Sequence, residues 1–189
     1  LAGWQSLFGH TLGLDKLAWN SVQPEYDPFK YNSFAVNAAV QAHRITSHIQ
    51  KRMDQLDAKD LLGKMPPVLA FQSAVDATVT ARALVTGLFD RLKPGDHRLV
   101  VFDINRVFEA EGLVRRPPVL DGLFTGPARH YDVALVTNRN KTTTAVALRE
   151  RPAGGDTVEE QDLGMNWPAQ VYSLSHIALP FPPDDPAYG

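Results

Sequence analysis

The sequence predicts an α/β chain, a mostly parallel sheet flanked by helices, on three observations. Val68-Leu-Ala-Phe71 and Arg98-Leu-Val-Val-Phe102 are short, continuous apolar runs bounded by turn residues. Runs of that kind, without alternation, mark strands buried on both faces. Between them, Ala81, Leu84, Val85, Leu88, Phe89 and Leu92 recur at three- and four-residue steps, the spacing of one helix face. Residues 68–102 therefore read as a strand–helix–strand unit, which is expected to be parallel and right-handed.

The elements follow in order. Residues 1–31 read as irregular, with Trp4, Trp19 and a turn-rich segment from Pro24 to Tyr31. Residues 32–53 read as a helix, because Phe34, Ala38, Ala42, Ile45, Ile49 and Met53 form an apolar stripe, with Asn32 or Ser33 to cap its start. Pro66-Pro67 blocks helix before the first buried strand, and Thr78 is the expected cap of the helix at 78–92. Pro94-Gly95-Asp96 ends that helix. Residues 105–130 are rich in proline, glycine and arginine without a clear period. Tyr131–Thr137 and Thr144–Leu148, separated by the polar Asn138–Lys141, predict a hairpin. Pro152–Asp156 is a loop, Gln170–Leu174 a last short strand, and the tail from Pro180 to Pro186 an extended segment.

Composition bounds the function. The chain has 189 residues, of which 44% are apolar, enough for a packed core in one domain or part of one. A net charge of −2 gives no electrostatic footprint for nucleic acid. No run of about 18 apolar residues occurs, so no membrane-spanning helix is expected. With no cysteine there is no disulfide and no thiolate metal site, and no cofactor is implied. The compartment stays open between cytoplasmic and exported, as does the oligomeric state.

Two strand-like runs end on side chains that suit catalysis. Val68–Ala74 leads to Asp76, and Tyr172-Ser-Leu-Ser175 leads to His176. Groups just past the carboxyl ends of strands line the ligand crevice of open α/β sheets. Acid before histidine is also the order of the last two members of a Ser…Asp…His triad. In that chemistry Asp76 fixes the tautomer of His176, and His176 takes and returns the proton. The plain alternatives are a helix-start Asp76 that complements the helix dipole and a turn histidine bonded to the tail. No glycine is followed two positions later by a serine, so the nucleophile elbow Gly-x-Ser-x-Gly is not in this chain. The chain also opens on Leu1-Ala-Gly-Trp4 rather than methionine. The expectation is a C-terminal portion whose serine lies upstream of Leu1.

The rivals are specific. His130 is the main competitor of His176. His97 starts a strand, on the wrong edge of the sheet, and His43 and His48 lie off the apolar stripe of their helix. Asp103 is the rival acid, most simply bonded to its loop backbone. Asp184-Asp185 with His176 is poor metal-ligand evidence, so no metal is expected. Tyr26, Phe29, Tyr31 and Phe34 either line an acyl pocket or pack on the core.

Residues 65–79, Met65-Pro-Pro-Val-Leu-Ala-Phe-Gln-Ser-Ala-Val-Asp76-Ala-Thr-Val79, together with Leu99–Asp103 and Ser175-His176, resemble the α/β-hydrolase superfamily. The nearest likeness is to its serine esterase, lysophospholipase and serine-aminopeptidase-like group. The first segment looks like that family's penultimate core strand and acid, the second like its last core strand, and the third like its histidine turn. The resemblance covers about residues 33–105 and 170–180. It implies one domain over 1–189, with 1–31 as a cap or loop region, and catalytic Asp76 and His176. The implied substrate is a small-molecule ester of acyl or lipid-like type. Residues 106–169 have no counterpart in the compact family pattern and imply an inserted hairpin that either extends the sheet edge or roofs the site. The same scaffold supports peptidases, thioesterases and dehalogenases, and a non-catalytic binding module is the alternative from a different class.

Overall fold

The computed structural model describes residues 19–21, 34–76, 79–106, 118–168, 171 and 173. The chain divides into two compact units, Leu1–Leu61 and Leu62–Gly189.

In the first unit, β1 (Trp19–Ser21) pairs antiparallel with β2 (Phe34–Ala35), and α1 follows over Val36–Asp57. The pairing takes Phe34 and Ala35 into a strand, so the helix starts later than its apolar stripe predicts. It also ends later. Asp60 adopts φ 54°, Leu61 N–H bonds Leu56 O (2.8 Å) and Asp60 N–H bonds Asp57 O (2.9 Å). That is a left-handed helix stop built on aspartate instead of glycine. Only part of the expected stripe is buried: Met53 is, whereas Ile45 and Ile49 are 59% and 48% exposed. His43 and His48 are exposed on this helix, and Asn32 and Ser33 lie outside the described residues.

The second unit is a five-stranded mixed sheet with helices. Its strands are β3 (Leu69–Ser73), β4 (Arg98–Asp103), β5 (Asp132–Asn138), β6 (Ala145–Arg151) and β7 (Glu159–Asn166), hydrogen-bonded in that order. The pairs β3–β4 and β4–β5 are parallel, and β5–β6 and β6–β7 are antiparallel. The helix α2 (Ala81–Gly87) connects β3 to β4, and α3 (Pro118–Thr125) precedes β5. Thr80 caps α2, its hydroxyl accepting from Ala83 N–H, two residues later than the Thr78 cap read from sequence. The chain past Gly87 tightens into a 3-10 turn, Phe89–Arg91.

The period-free stretch before residue 130 thus contains a helix. Its Pro118 start and the Gly126 that follows are the ordinary entry and exit residues of a helix. Gly126 must be small, because a Cβ there would lie 2.5 Å from Gly122 O. The predicted hairpin forms with Val136 opposite Leu148, and it extends the sheet beyond β4. β7 has no counterpart in the sequence reading. Its residues, Glu-Glu-Gln-Asp-Leu-Gly-Met-Asn, carry no apolar alternation, and all but Leu163 are exposed. Such a charged, exposed outer strand guards a sheet edge against further pairing. The opposite outer strand, β3, is apolar and leaves Leu69 and Phe71 59% and 42% exposed.

Register sorts the core into two faces, because cross-strand partners share a face. Leu99, Val101 and Val133 are almost fully buried on one face. Arg151, opposite Val133, reaches α3 there through Leu123 O (3.1 Å). Val100, Ala134, Val136 and Val146 form the buried cluster of the other face, with Phe102, Leu148, Leu163 and Trp167 packed against it.

Candidate site at the carboxyl ends of the parallel strands

Asp76 stands three residues past β3, and its position is braced. Ala74 N–H bonds Phe102 O (2.9 Å), tying the turn to the neighbouring strand. Val79 N–H donates to Asp76 Oδ1 (3.0 Å), and Val79 O accepts from Gln72 Nε2 (3.0 Å). Gln72 is buried and also donates to Ser73 O (3.3 Å). A buried glutamine inside an apolar strand thus pins the turn that presents Asp76. The strand was expected to be buried on both faces, but as an edge strand it exposes Leu69 and Phe71 and buries Gln72 and Ser73 instead, so its apolar run did not mark Gln72. The bond to Val79 N–H braces the loop ahead of α2, whose cap is Thr80, so it is a structural role but a different one from the helix-start role weighed against catalysis. It does not exhaust a carboxylate, which can accept about four hydrogen bonds.

The end of β4 carries the densest polar network. Asp103 and Arg106 are both buried and form a two-pronged pair, Nε to Oδ1 and Nη2 to Oδ2, each 2.6 Å. Asp103 was expected to bond its loop backbone, but its carboxylate instead faces a side chain that holds both oxygens. Between the pair, Asn105 is fully buried at φ 49°. Its Nδ2 donates to Pro168 O (2.9 Å) and Val171 O (2.7 Å), and its Oδ1 accepts from Asn138 Nδ2 (2.9 Å). Ile104 N–H donates to Ser173 Oγ, and Ser173 N–H donates to Ile104 O, both at 2.9 Å. Thr137 Oγ1, at the end of β5, donates to Asp103 O (3.1 Å). The chain after β7 therefore returns to the carboxyl end of β4. Val171 and Ser173 are irregular rather than strand. The other residues of the expected strand at 170–174, and His176 itself, lie outside the described residues. So do the aromatics Tyr26, Phe29 and Tyr31 and the acidic pair Asp184-Asp185.

The rival histidines sit at the other end of the sheet. His97 Nδ1 accepts from Val68 N–H (3.0 Å), just before β3 and β4 begin. His130 lies just before β5, its Nε2 donating to Phe89 O (3.0 Å) and its ring edge-on to Tyr131. Five to six strand residues, roughly 17–20 Å, separate that end from Asp76. His130 and His97 are therefore out of reach of Asp76. Beside them, fully buried Tyr131 donates to Asp90 Oδ1 (3.0 Å), which Arg129 also engages. Burial first, and the Asp90 carboxylate second, push the Tyr131 hydroxyl far above the usual phenol range.

Among the described residues no group of three or more His, Cys, Asp and Glu side chains is placed to hold a metal, and no helix is long and apolar enough to cross a membrane. No protein family, curated protein or solved structure matches the chain.

Proposed function

We propose that the chain carries the acid and the base of a Ser-His-Asp ester hydrolase: Asp76 orients His176, and His176 shuttles the proton. The serine and its oxyanion hole come from outside residues 1–189, since no Gly-x-Ser-x-Gly occurs within them. The substrate class is a small ester with an acyl or lipid-like part. In the reaction His176 takes the proton of the serine hydroxyl as it attacks the carbonyl, then gives it to the leaving alcohol. Water repeats the sequence on the acyl-enzyme.

One observation carries this reading. Ser173, three residues before His176, is bonded in both directions to Ile104 at the carboxyl end of β4, and β4 is the direct parallel neighbour of the strand that delivers Asp76. Three residues reach about 10 Å, whereas adjacent strands are about 4.8 Å apart. That tether supports the pairing, because the chain that leads to His176 is anchored beside the strand that leads to Asp76, at the end of the strands where open α/β sheets bind ligands.

The alternative, a binding module without catalysis, is favoured by the Val79–Asp76 bond, which gives Asp76 a structural role. Asp76→Asn separates the two, because the asparagine amide oxygen can accept the same bond from Val79 N–H. In the natural full-length protein, assayed on a p-nitrophenyl ester, Asp76→Asn is expected to lower turnover on the order of 10³–10⁴-fold with stability unchanged. Unchanged turnover, or a wild-type protein that neither hydrolyses esters nor reacts with a fluorophosphonate, would favour the binding module.

A further inference from the structure

We infer that α1 docks on an anionic lipid surface through its exposed face, lying along that surface. At about 100° per residue, Ala38, Ala42, Ile45 and Ile49 fall on one line of the helix, within about 60° of one another. All four are exposed, and Ile45 and Ile49 are 59% and 48% exposed. Arg52, Arg44 and Lys51 lie to one side of Ile45, at about 20°, 100° and 120° around the axis, and are exposed as well. The carboxylates of the helix, Asp54 and Asp57, lie about 120–180° round on the other side. That side carries the buried Val36 and Met53. The exposed apolar line of α1 therefore has cations beside it and no acid.

Charge chooses the partner. A helix lying in a membrane interface puts its apolar side chains deepest and keeps Lys and Arg at the headgroups, their stems running along apolar surface. Arg44, Lys51 and Arg52 beside Ile45 and Ile49 meet that requirement. Two isoleucines alone are too small an apolar contact to hold a chain on a bilayer, so the headgroups must be anionic. Each Lys or Arg near such a surface strengthens binding about fivefold. A second copy of α1 seated on the same face would instead set cations against cations. The helix lies on the surface rather than crossing it, since among the described residues no helix is long and apolar enough to span a membrane. The face belongs to the first compact unit and does not depend on the roles of Asp76 and His176.

The test is co-sedimentation of the natural full-length protein with two kinds of vesicle, pure phosphatidylcholine and an equal mixture of phosphatidylcholine and phosphatidylglycerol. The wild type is expected to bind the anionic vesicles about 10²-fold more tightly than the zwitterionic ones. Raising the salt from about 0.1 M to about 1 M, which shortens the screening length from about 10 Å to about 3 Å, should abolish the difference. The triple variant Arg44→Gln, Lys51→Gln, Arg52→Gln should abolish it too. The double variant Ile45→Ser, Ile49→Ser should weaken binding to anionic vesicles on the order of tenfold with the melting temperature unmoved. The charge variant keeps the test open should the apolar one fail to fold. Equal binding to both vesicles, or anionic binding that survives both variants, would overturn the proposal. So would a wild type that binds no vesicle. In that case saturable binding of a polyglutamate peptide would assign the face to an acidic protein, and a dimer dispersed by the isoleucine variant would assign it to a second copy.

Discussion

The two ends of the parallel strands β3, β4 and β5 are built from the same kinds of residue and use them differently. At the amino end, His97, His130, Tyr131 and Asp90 bond to chain that is already part of the sheet or its connections. Their partners are Val68, Phe89 and each other, so the polar groups close on the scaffold. At the carboxyl end, Asn105 and Ile104 bond to chain more than 60 residues later in sequence. Gln72 braces the turn that holds Asp76. Buried polar groups at one end finish the fold, while at the other they gather distant segments at the carboxyl end of β4. The difference lies in who the partners are, which residue identity alone does not carry.

The largest effect expected from this contrast separates the histidines. In the natural full-length protein, His176→Ala should cost on the order of 10³–10⁴-fold in ester turnover with little change in melting temperature. His130→Ala and His97→Ala should do the reverse and keep turnover; His97→Ala should cost about 1–3 kcal/mol in stability for the Val68 N–H left unpaired, and His130→Ala less, because Phe89 O still accepts from Leu92 N–H. Parallel denaturation and rate measurements check this, and a His130 variant that is stable but inactive would break the contrast.

Next in size is the Asp103–Arg106 pair. Asp103→Asn leaves the buried Arg106 guanidinium facing a neutral side chain. Denaturant unfolding should show a loss of about 3–5 kcal/mol. Replacing both residues with apolar ones of similar volume should recover much of it. A loss below about 1 kcal/mol for Asp103→Asn would show that the pair does not hold the bend at Asn105.

The smallest effect belongs to Tyr131. Its hydroxyl keeps its proton well above the ordinary phenol value in the folded state. The unfolded chain releases that proton near pH 10. Above that pH the unfolded state binds fewer protons than the folded one, so stability falls as pH rises. The slope is about 1.4 kcal/mol per pH unit until the folded group also titrates. Below pH 10 the contribution is fully present. Tyr131→Phe should flatten this alkaline decline in denaturation curves recorded between pH 9 and 11, and an unaltered slope would assign the decline to other groups.

Much of the architecture was legible in the sequence. The strands at 68–71 and 98–102 are continuous apolar runs, the hairpin is two apolar runs around a polar turn, and α2 has a clear apolar face. The misses have physical reasons. α3 is a short helix set in a stretch rich in proline, glycine and arginine, so no period stands out and only Pro118 and Gly126 signal it. β7 is a charged outer strand held to β6 by backbone bonds and by cross-strand ion pairs such as Glu160 with Arg149, neither of which an apolar pattern signals. α1 gives way to β2 at its start because a three-residue partner at Trp19–Ser21 claims Phe34 and Ala35. The place of Asp76 just past β3 was legible because it follows an apolar run. Gln72, Asn105 and Asn138 were not, since their roles depend on partners far away in sequence.

Asp76 and His176 are proposed to act as one unit, and a double-mutant cycle on turnover tests that pairing. Asp76→Asn, His176→Ala and the double variant are compared in the natural full-length protein on a single p-nitrophenyl ester. Residues that act together lose their effect once, so the double variant is expected to be no slower than His176→Ala alone, within about twofold. Losses that multiply, with the double variant slower by the product of the two single effects, would contradict the pairing of Asp76 with His176.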